Sequence, residues 1–249
     1  MKCLVIAAGK GSRLLQKEES KPLMPLLGIP LIERVIRTAN DAGADDFYVV
    51  TGFQAERVQS FLGSLSNRLK ISITSIFNEK WEKDNGLSVL TARKHLHEPF
   101  LLLMADHLFD PSIASDLMSI SLNDDEIALA VDGNIQNPLV DMEDVTRVKT
   151  NGEKICEIGK GIADFNGFDT GIFFCTPAIF NALEQSARKH NNTTLSGAGR
   201  IMAAENQFIA FKIKDRFWID VDDPASLKKA ENVLLSNLRN KPNEGLVSR

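Results

Sequence analysis

A short apolar run, Cys3–Ala7, breaks directly into a glycine-rich segment, Ala8-Gly9-Lys10-Gly11-Ser12-Arg13-Leu14. A strand apolar at every position is buried on both faces, which is the habit of a parallel sheet covered by helices. Glycines at the carboxyl end of such a strand let backbone N–H groups approach a ligand's oxygens closely, at the edge where open α/β sheets bind. The chain therefore starts as a sheet strand feeding a candidate phosphate loop.

The next hundred residues keep the alternation. Leu31–Ala42 carries an apolar stripe (Leu31, Ile32, Val35, Ile36, Ala39) behind Pro30, a residue suited to a helix start. Phe47–Thr51 reads as a strand, Glu56–Leu62 as a short helix, Ile71–Ile76 as a strand, Leu87–Leu96 as a helix and Phe100–Met104 as a buried strand. Strands alternating with helices predict a parallel sheet with right-handed crossovers. After residue 105 the pattern changes. Ile127–Val131, Val145–Thr150, Lys154–Ile158, Phe168–Cys175, Phe208–Ile213 and Trp218–Val221 read as strands, with Asn151-Gly152 as a hairpin turn. Pro177–Arg188 and Pro224–Leu235 read as helices. The expected fold is α/β, Rossmann-like, with a mostly parallel (mixed) central sheet flanked by helices. One domain is expected over residues 1–236, with a polar tail at 237–249.

Composition narrows the function classes. The formal net charge is −4 and the Lys and Arg residues are dispersed, so no nucleic-acid partner is expected. No apolar stretch reaches the roughly 18–20 residues that span a bilayer, so no membrane insertion is expected. The N-terminus has no signal-peptide layout, which points to the cytoplasm. Cys3, Cys156 and Cys175 are widely spaced in apolar runs and read as small buried residues rather than a zinc site or disulfide framework.

The glycine segment admits several readings. A dinucleotide fingerprint needs a third Gly where Leu14 stands, and a Walker loop needs four residues between its first Gly and a Gly-Lys pair. A pyrophosphate-binding loop with Arg13 as a multi-oxygen clamp and Lys21, of Lys21-Pro22-Leu23, as a point charge accounts for more residues. A tight turn with solvated charges stays open. Two acidic groups stand at strand ends. Asp106 follows the buried Phe100–Met104, while Asp110-Pro111 is the better cap for the next helix. Asp220 and Asp222 alternate with Ile219 and Val221, so they share one face of a short strand, and Asp223 reads as the N-cap of the last helix. With Asp106, this pair could complete a Mg²⁺ site. No Ser/His/Asp or Cys/His arrangement is present, and His107 reads as a structural or outer-shell group rather than a base.

Ala7–Leu14, Lys21-Pro22-Leu23 and Gly28-Ile29-Pro30-Leu31-Ile32 together resemble the signature of the sugar-nucleotidyltransferase superfamily. The resemblance implies a nucleotide-diphospho-sugar transferase fold and a Mg²⁺-dependent transfer of a nucleotidyl group to a small phosphorylated acceptor. It implies that Gly9, Gly11, Ser12 and Arg13 hold the β- and γ-phosphates and that Lys21 contacts the α-phosphate. Asp106 and Asp220 match the metal ligands, with Asp222 a weaker match. Ala8, Gly9, Asn85, Gly86 and Ser88 would contact the base. Lys160 would meet the acceptor's phosphate, with Asp169 and Thr170 beside the sugar pocket and Arg147 a further cation. Within the superfamily, Leu31–Ile36, Asn85–Leu90, Phe100–Pro111, Phe168–Pro177 and Phe217–Pro224 are similar to the inositol-1-phosphate cytidylyltransferases. That likeness implies CTP and inositol-1-phosphate as substrates. It also implies a functional link to the membrane synthase, often fused to such enzymes, that uses CDP-inositol. Phosphocholine or hexose-1-phosphate acceptors, and a silent nucleotide-binding module, remain as alternatives.

Overall fold

The computed structural model describes residues 1–11, 13 and 20–240, with side chains through residue 237. In chain order the strands and helices are β1 (Lys2–Ala7), β2 (Pro25–Leu26), β3 (Ile29–Pro30), α1 (Leu31–Asp41), β4 (Asp46–Thr51), α2 (Ala55–Leu69), β5 (Ser72–Phe77), α3 (Asn85–Thr91), β6 (Phe100–Met104), β7 (His107–Phe109) and α4 (Pro111–Met118). There follow β8 (Ile127–Asp132), β9 (Arg147–Asn151), β10 (Lys154–Gly159), β11 (Gly167–Cys175), α5 (Ala178–His190), α6 (Leu195–Ala204), β12 (Phe208–Lys212), β13 (Trp218–Asp220) and α7 (Pro224–Asn240).

A nine-stranded sheet runs in the order β5-β4-β1-β6-β11-β8-β12-β10-β9. The first four of these strands are parallel, as the alternation of strands and helices predicts. Beyond β6 the sheet is mixed: β11 is antiparallel to both β6 and β8, while β12 is parallel to β8. The apolar runs explain the layering. Cys3, Val5 and Ala7 enter one core cluster, and Leu4, Ile6 and Ala8 enter the other, so β1 is buried between two helical layers. β8 is buried at every position for the same reason.

Several boundaries differ from the sequence reading. α2 runs on to Leu69 because Leu65 continues the stripe of Val58 and Leu62 past Gly63. α7 continues to Asn240, into the stretch read as tail, since no breaker intervenes before Pro242; residues 241–249 lie outside the described residues. β2, β3, β7 and α6 are additions. Cys3 and Cys175 are buried, but Cys156 is exposed. Strand alternation after buried Ile155 turns it outward, so an apolar-looking context did not mean burial. Asp110 caps α4 by accepting from the Ser112 N–H at 2.9 Å, and Asp223 accepts from the Ser226 N–H at 2.6 Å. Among the described residues no helix is long and apolar enough to cross a membrane.

Candidate active site

The carboxyl ends of β1 and β6 open onto a cleft of about 630 Å³, which continues into a smaller hollow of about 320 Å³ under the glycine loop. Both fall in the range of small-molecule sites, about 300–1,000 Å³. Gly9, Arg13, Asp106 and Asp222 line both spaces.

The loop's geometry follows from its glycines. Gly11 has φ 65° and packs so tightly on Lys21 that a Cβ would overlap that side chain. Lys21 is thereby held inside, with 6% of its side chain exposed, and its ammonium donates to both Asp106 and Asp222. Burial works against its charge, but Asp106, Asp220 and Asp222 outweigh it and hold the ammonium above its usual range. Arg13 reaches across the opening, donating to Asp222 at 2.6 Å and pairing with Asp144 at 2.8 Å. Ser12 lies outside the described residues.

Asp106 and Asp220 sit on neighbouring segments because the small sheet β7–β13 pairs His107 with Asp220. The backbone N–H of Val221 donates to the Asp106 carbonyl at 3.0 Å and fixes the two tips together. His107 Nδ1–H donates to the Thr170 carbonyl at 2.7 Å, which turns Nε2 toward Asp220 at 3.4 Å and Asp106 at 3.8 Å. The ring has room because Gly171, at φ 73°, carries no Cβ to overlap it. Burial lowers the affinity of His107 for a proton, but Asp220 and Asp106 reverse this and its pKa is pushed up to about 10. Burial opposes ionisation of Asp106, yet Lys21 and His107 hold it below the usual carboxylate range. Burial raises Asp220 instead, and raises Asp169 to about 6.

Asp106, His107 and Asp220 each offer a ligand atom, all within 4.8 Å of one another. Asp220 Oδ1 is buried and accepts no hydrogen bond from the described residues. An orphaned carboxylate oxygen beside a second carboxylate fits a hard divalent cation. Asp222 stands apart from this trio. It lies past the end of β13 and is engaged by Lys21 and Arg13; burial opposes its charge, but Lys21 keeps it below its usual range.

The other sequence candidates divide. Asn85, Lys160 and Asp169 line the cleft, Asn85 accepting from the Leu195 N–H at 2.9 Å. Thr170 does not present its hydroxyl there: strand alternation turns it into the core, where it donates to the Ala130 carbonyl at 2.8 Å. Arg147 is likewise withdrawn, donating to the Ile162 carbonyl at 3.0 Å with its guanidinium 4.8 Å from the Phe165 ring. Gly86 makes room for Thr193 and Leu183 rather than for a base. Ser88 is buried against Asn78, which donates to it at 3.0 Å. Ala8 is buried, and its carbonyl accepts from the Phe53 N–H at 2.9 Å.

Asp144 and the segment Leu139–Thr146 were not foreseen, yet they wall the cleft. Asp144 pairs with Arg13 and with Lys160, whose side chain is 59% exposed. Burial opposes its charge, but hydrogen bonds from Lys160 and Arg13 keep Asp144 below the usual range. In sequence it is one of several acids in Asp141-Met142-Glu143-Asp144, a composition that reads as solvated surface.

The chain is 28% identical over 99% of its length to a bifunctional IPC transferase and DIPP synthase from Aquifex aeolicus, covering 54% of that protein. A protein of the same name from Archaeoglobus fulgidus is 26% identical, with 47% of its length covered. The chain thus spans about half the length of the curated relatives it matches. Among solved structures, an inositol-1-phosphate CTP transferase from T. maritima superposes with a TM-score of 0.81, at 24% identity over 96% of both chains. A UDP-glucose pyrophosphorylase complexed with UDP-glucose gives 0.78 at 23% identity, over 95% of this chain and 98% of that one. These two show the nucleotide-diphospho-sugar transferase fold. A MobA-like NTP transferase domain matches residues 3–151, the stretch that holds the glycine loop, Lys21 and Asp106, and the chain belongs to that family.

Proposed function

We propose that this chain is a Mg²⁺-dependent cytidylyltransferase that joins CTP to inositol-1-phosphate, giving CDP-inositol and pyrophosphate. The observation that carries the reading is the convergence of three cations on two carboxylates: Arg13 and Lys160 line the cleft with Asp106 and Asp220, and Lys21 lines the hollow that adjoins it. The names of the relatives and of the T. maritima structure support the choice of base and acceptor.

The acceptor's phosphate monoester has a second pKa of about 6 and is mostly dianionic at neutral pH. Its oxygen is already nucleophilic and needs no general base, so the cluster around His107 is free to serve as an anionic cradle. Attack in line on the α-phosphorus forms the new P–O bond as the bond to the pyrophosphate oxygen breaks. Lys21, fixed and charged, supports the α-phosphate; Arg13, more exposed and forked, holds the departing oxygens. Asp106 and Asp220 would hold the cation, with His107 oriented beside them. Bound Mg²⁺ supplies charge neutralisation of the phosphates. Lys160 binds the acceptor's phosphate, and Asp169 accepts from ring hydroxyls. A choline would call for an aromatic cage, and Trp81, a candidate wall for one, packs on Phe53 with ring centroids 5.4 Å apart and does not line the cleft. The product would serve a membrane synthase that uses CDP-inositol, and the transfer would take place in the cytoplasm.

The test is pyrophosphate release with Mg²⁺ and each of the four nucleoside triphosphates, with and without inositol-1-phosphate. Release is expected with CTP and acceptor together. Comparable kcat/KM for CTP and a purine triphosphate would refute the base assignment; faster turnover with choline phosphate would refute the acceptor.

A further inference from the structure

We infer that Asp144 couples the two phosphate subsites, tying Arg13 to Lys160 in the empty cleft and releasing both when a polyanion arrives. The inference rests on the reading of Arg13 and Lys160 as phosphate-binding groups. One carboxylate is shared between them: Oδ2 lies 2.8 Å from Arg13 Nη1 and Oδ1 accepts from Lys160. The reaction as derived above has no use for Asp144. Its charge opposes both substrates, which makes its place between the two cations the point to explain.

The magnitudes favour a bond made to be broken. Arg13 and Lys160 have side chains 52% and 59% exposed, so each pair is a weak, solvent-screened one. A triphosphate brings several negative charges and can engage the guanidinium at two oxygens. On Arg13 it both displaces Asp144 and repels it. With Asp144 pushed aside, Lys160 loses its partner and faces the cleft as an unpaired ammonium. The nucleotide should therefore strengthen acceptor binding, and by linkage the acceptor should strengthen nucleotide binding by the same factor. The expected factor is about fivefold, the low end for coupled sites, because the bridge is exposed. Asp222, which also accepts from Arg13, stays paired with the buried Lys21 and does not reach the acceptor end.

The test is equilibrium binding to the whole chain, without turnover. Calorimetric affinities for inositol-1-phosphate, and for inorganic phosphate, are measured with and without saturating inorganic pyrophosphate on wild type, Asp144→Asn and Asp144→Ala. Pyrophosphate should tighten the phosphate ligand about fivefold on wild type. Both variants should bind that ligand more tightly from the start, and pyrophosphate should then leave it unchanged or weaken it. No tightening on wild type overturns the inference without recourse to any variant. Coupling that survives in both variants, or variants that bind phosphate more weakly than wild type, overturns it as well. Coupling seen with inorganic phosphate while inositol-1-phosphate fails to bind upholds the role of Asp144 and overturns the acceptor reading instead.

Discussion

Lys21 and Lys160 stand at opposite ends of one cleft and in opposite physical settings. Lys21 is enclosed, 6% exposed, and gripped by Asp106 and Asp222 under Gly11. Lys160 is 59% exposed and, among the described residues, pairs with Asp144 alone, on a wall segment. The first is a fixed charge, placed before any ligand arrives, as stabilisation of a reacting phosphate requires. The second can move, as capture and release of an acceptor require. Substitutions at the two ends should therefore fail in different ways.

The largest effect is expected at Lys21. Lys21→Met leaves Asp106, Asp220 and Asp222 without their central cation. Breaking a buried pair costs about 3–5 kcal/mol, and loss of a charged group at the reacting phosphate costs about 10³ in turnover. Denaturant unfolding and steady-state pyrophosphate release would read both. If stability and turnover both stay near wild type, Lys21 is not the preset charge described here. Asp106→Asn comes next, with turnover down about 10²–10³-fold and the fold retained. Binding of Mn²⁺ followed by electron paramagnetic resonance should weaken by more than about tenfold; unaltered Mn²⁺ affinity would remove Asp106 from the metal site.

At the other end, Lys160→Ala should raise the acceptor KM by about 10–100-fold, the worth of a lost charge-assisted hydrogen bond, with little change in the KM for CTP. The melting temperature should move by less than about 3 °C, because an exposed pair contributes little. A large drop in melting temperature, or equal loss for both substrates, would erase the contrast between the two lysines.

The two ends also differed in how far the sequence disclosed them. At the nucleotide end, Cys3–Ala7 and Phe100–Met104 are buried on both faces, so their composition alone marks them as sheet strands, and the Asp after the second must sit at the sheet's mouth. At the proposed acceptor end the signals are weaker. α6 carries Gly197 and Gly199, poor helix formers that are used because Asn192 and Phe208 pack where a Cβ would stand. Thr170 was assigned to the pocket and Asp169 with it, yet neighbours on a strand face opposite ways, and Gly171 shares the cleft in place of Thr170. Sequence names a strand before it fixes which parity faces a ligand. Arg147 was lost to the carbonyls of two loops, at Ile162 and Met142, whose paths no local pattern encodes. Asp144 was hidden by its acidic neighbours, and only folding brings Arg13 and Lys160 to it.

Between a locked charge and a free one lies Glu33 on α1, which pairs with neither lysine and tests whether burial alone sets the cost. Its side chain is 6% exposed, but its partners Arg37 and Arg68 are 44% and 50% exposed. Arg68 donates to it at 2.7 and 3.2 Å and Arg37 at 2.9 and 2.7 Å. The hydrogen bonds from Arg68, aided by those from Arg37 and opposed by burial, hold Glu33 below the usual carboxylate range. A carboxylate depressed in the folded state contributes stability above its unfolded pKa, about 4.3, and loses it as pH falls through the lower folded value. Glu33→Gln should cost about 1–2 kcal/mol at neutral pH, less than a fully buried pair because water screens the arginines. The gap between wild type and variant should stay constant from pH 7 to about 5, then shrink below about 4 as Glu33 takes up its proton. Urea unfolding across that range reads it directly. A gap that persists undiminished at low pH would mean that the side chain acts through packing, and that burial rather than charge separates the lysines too.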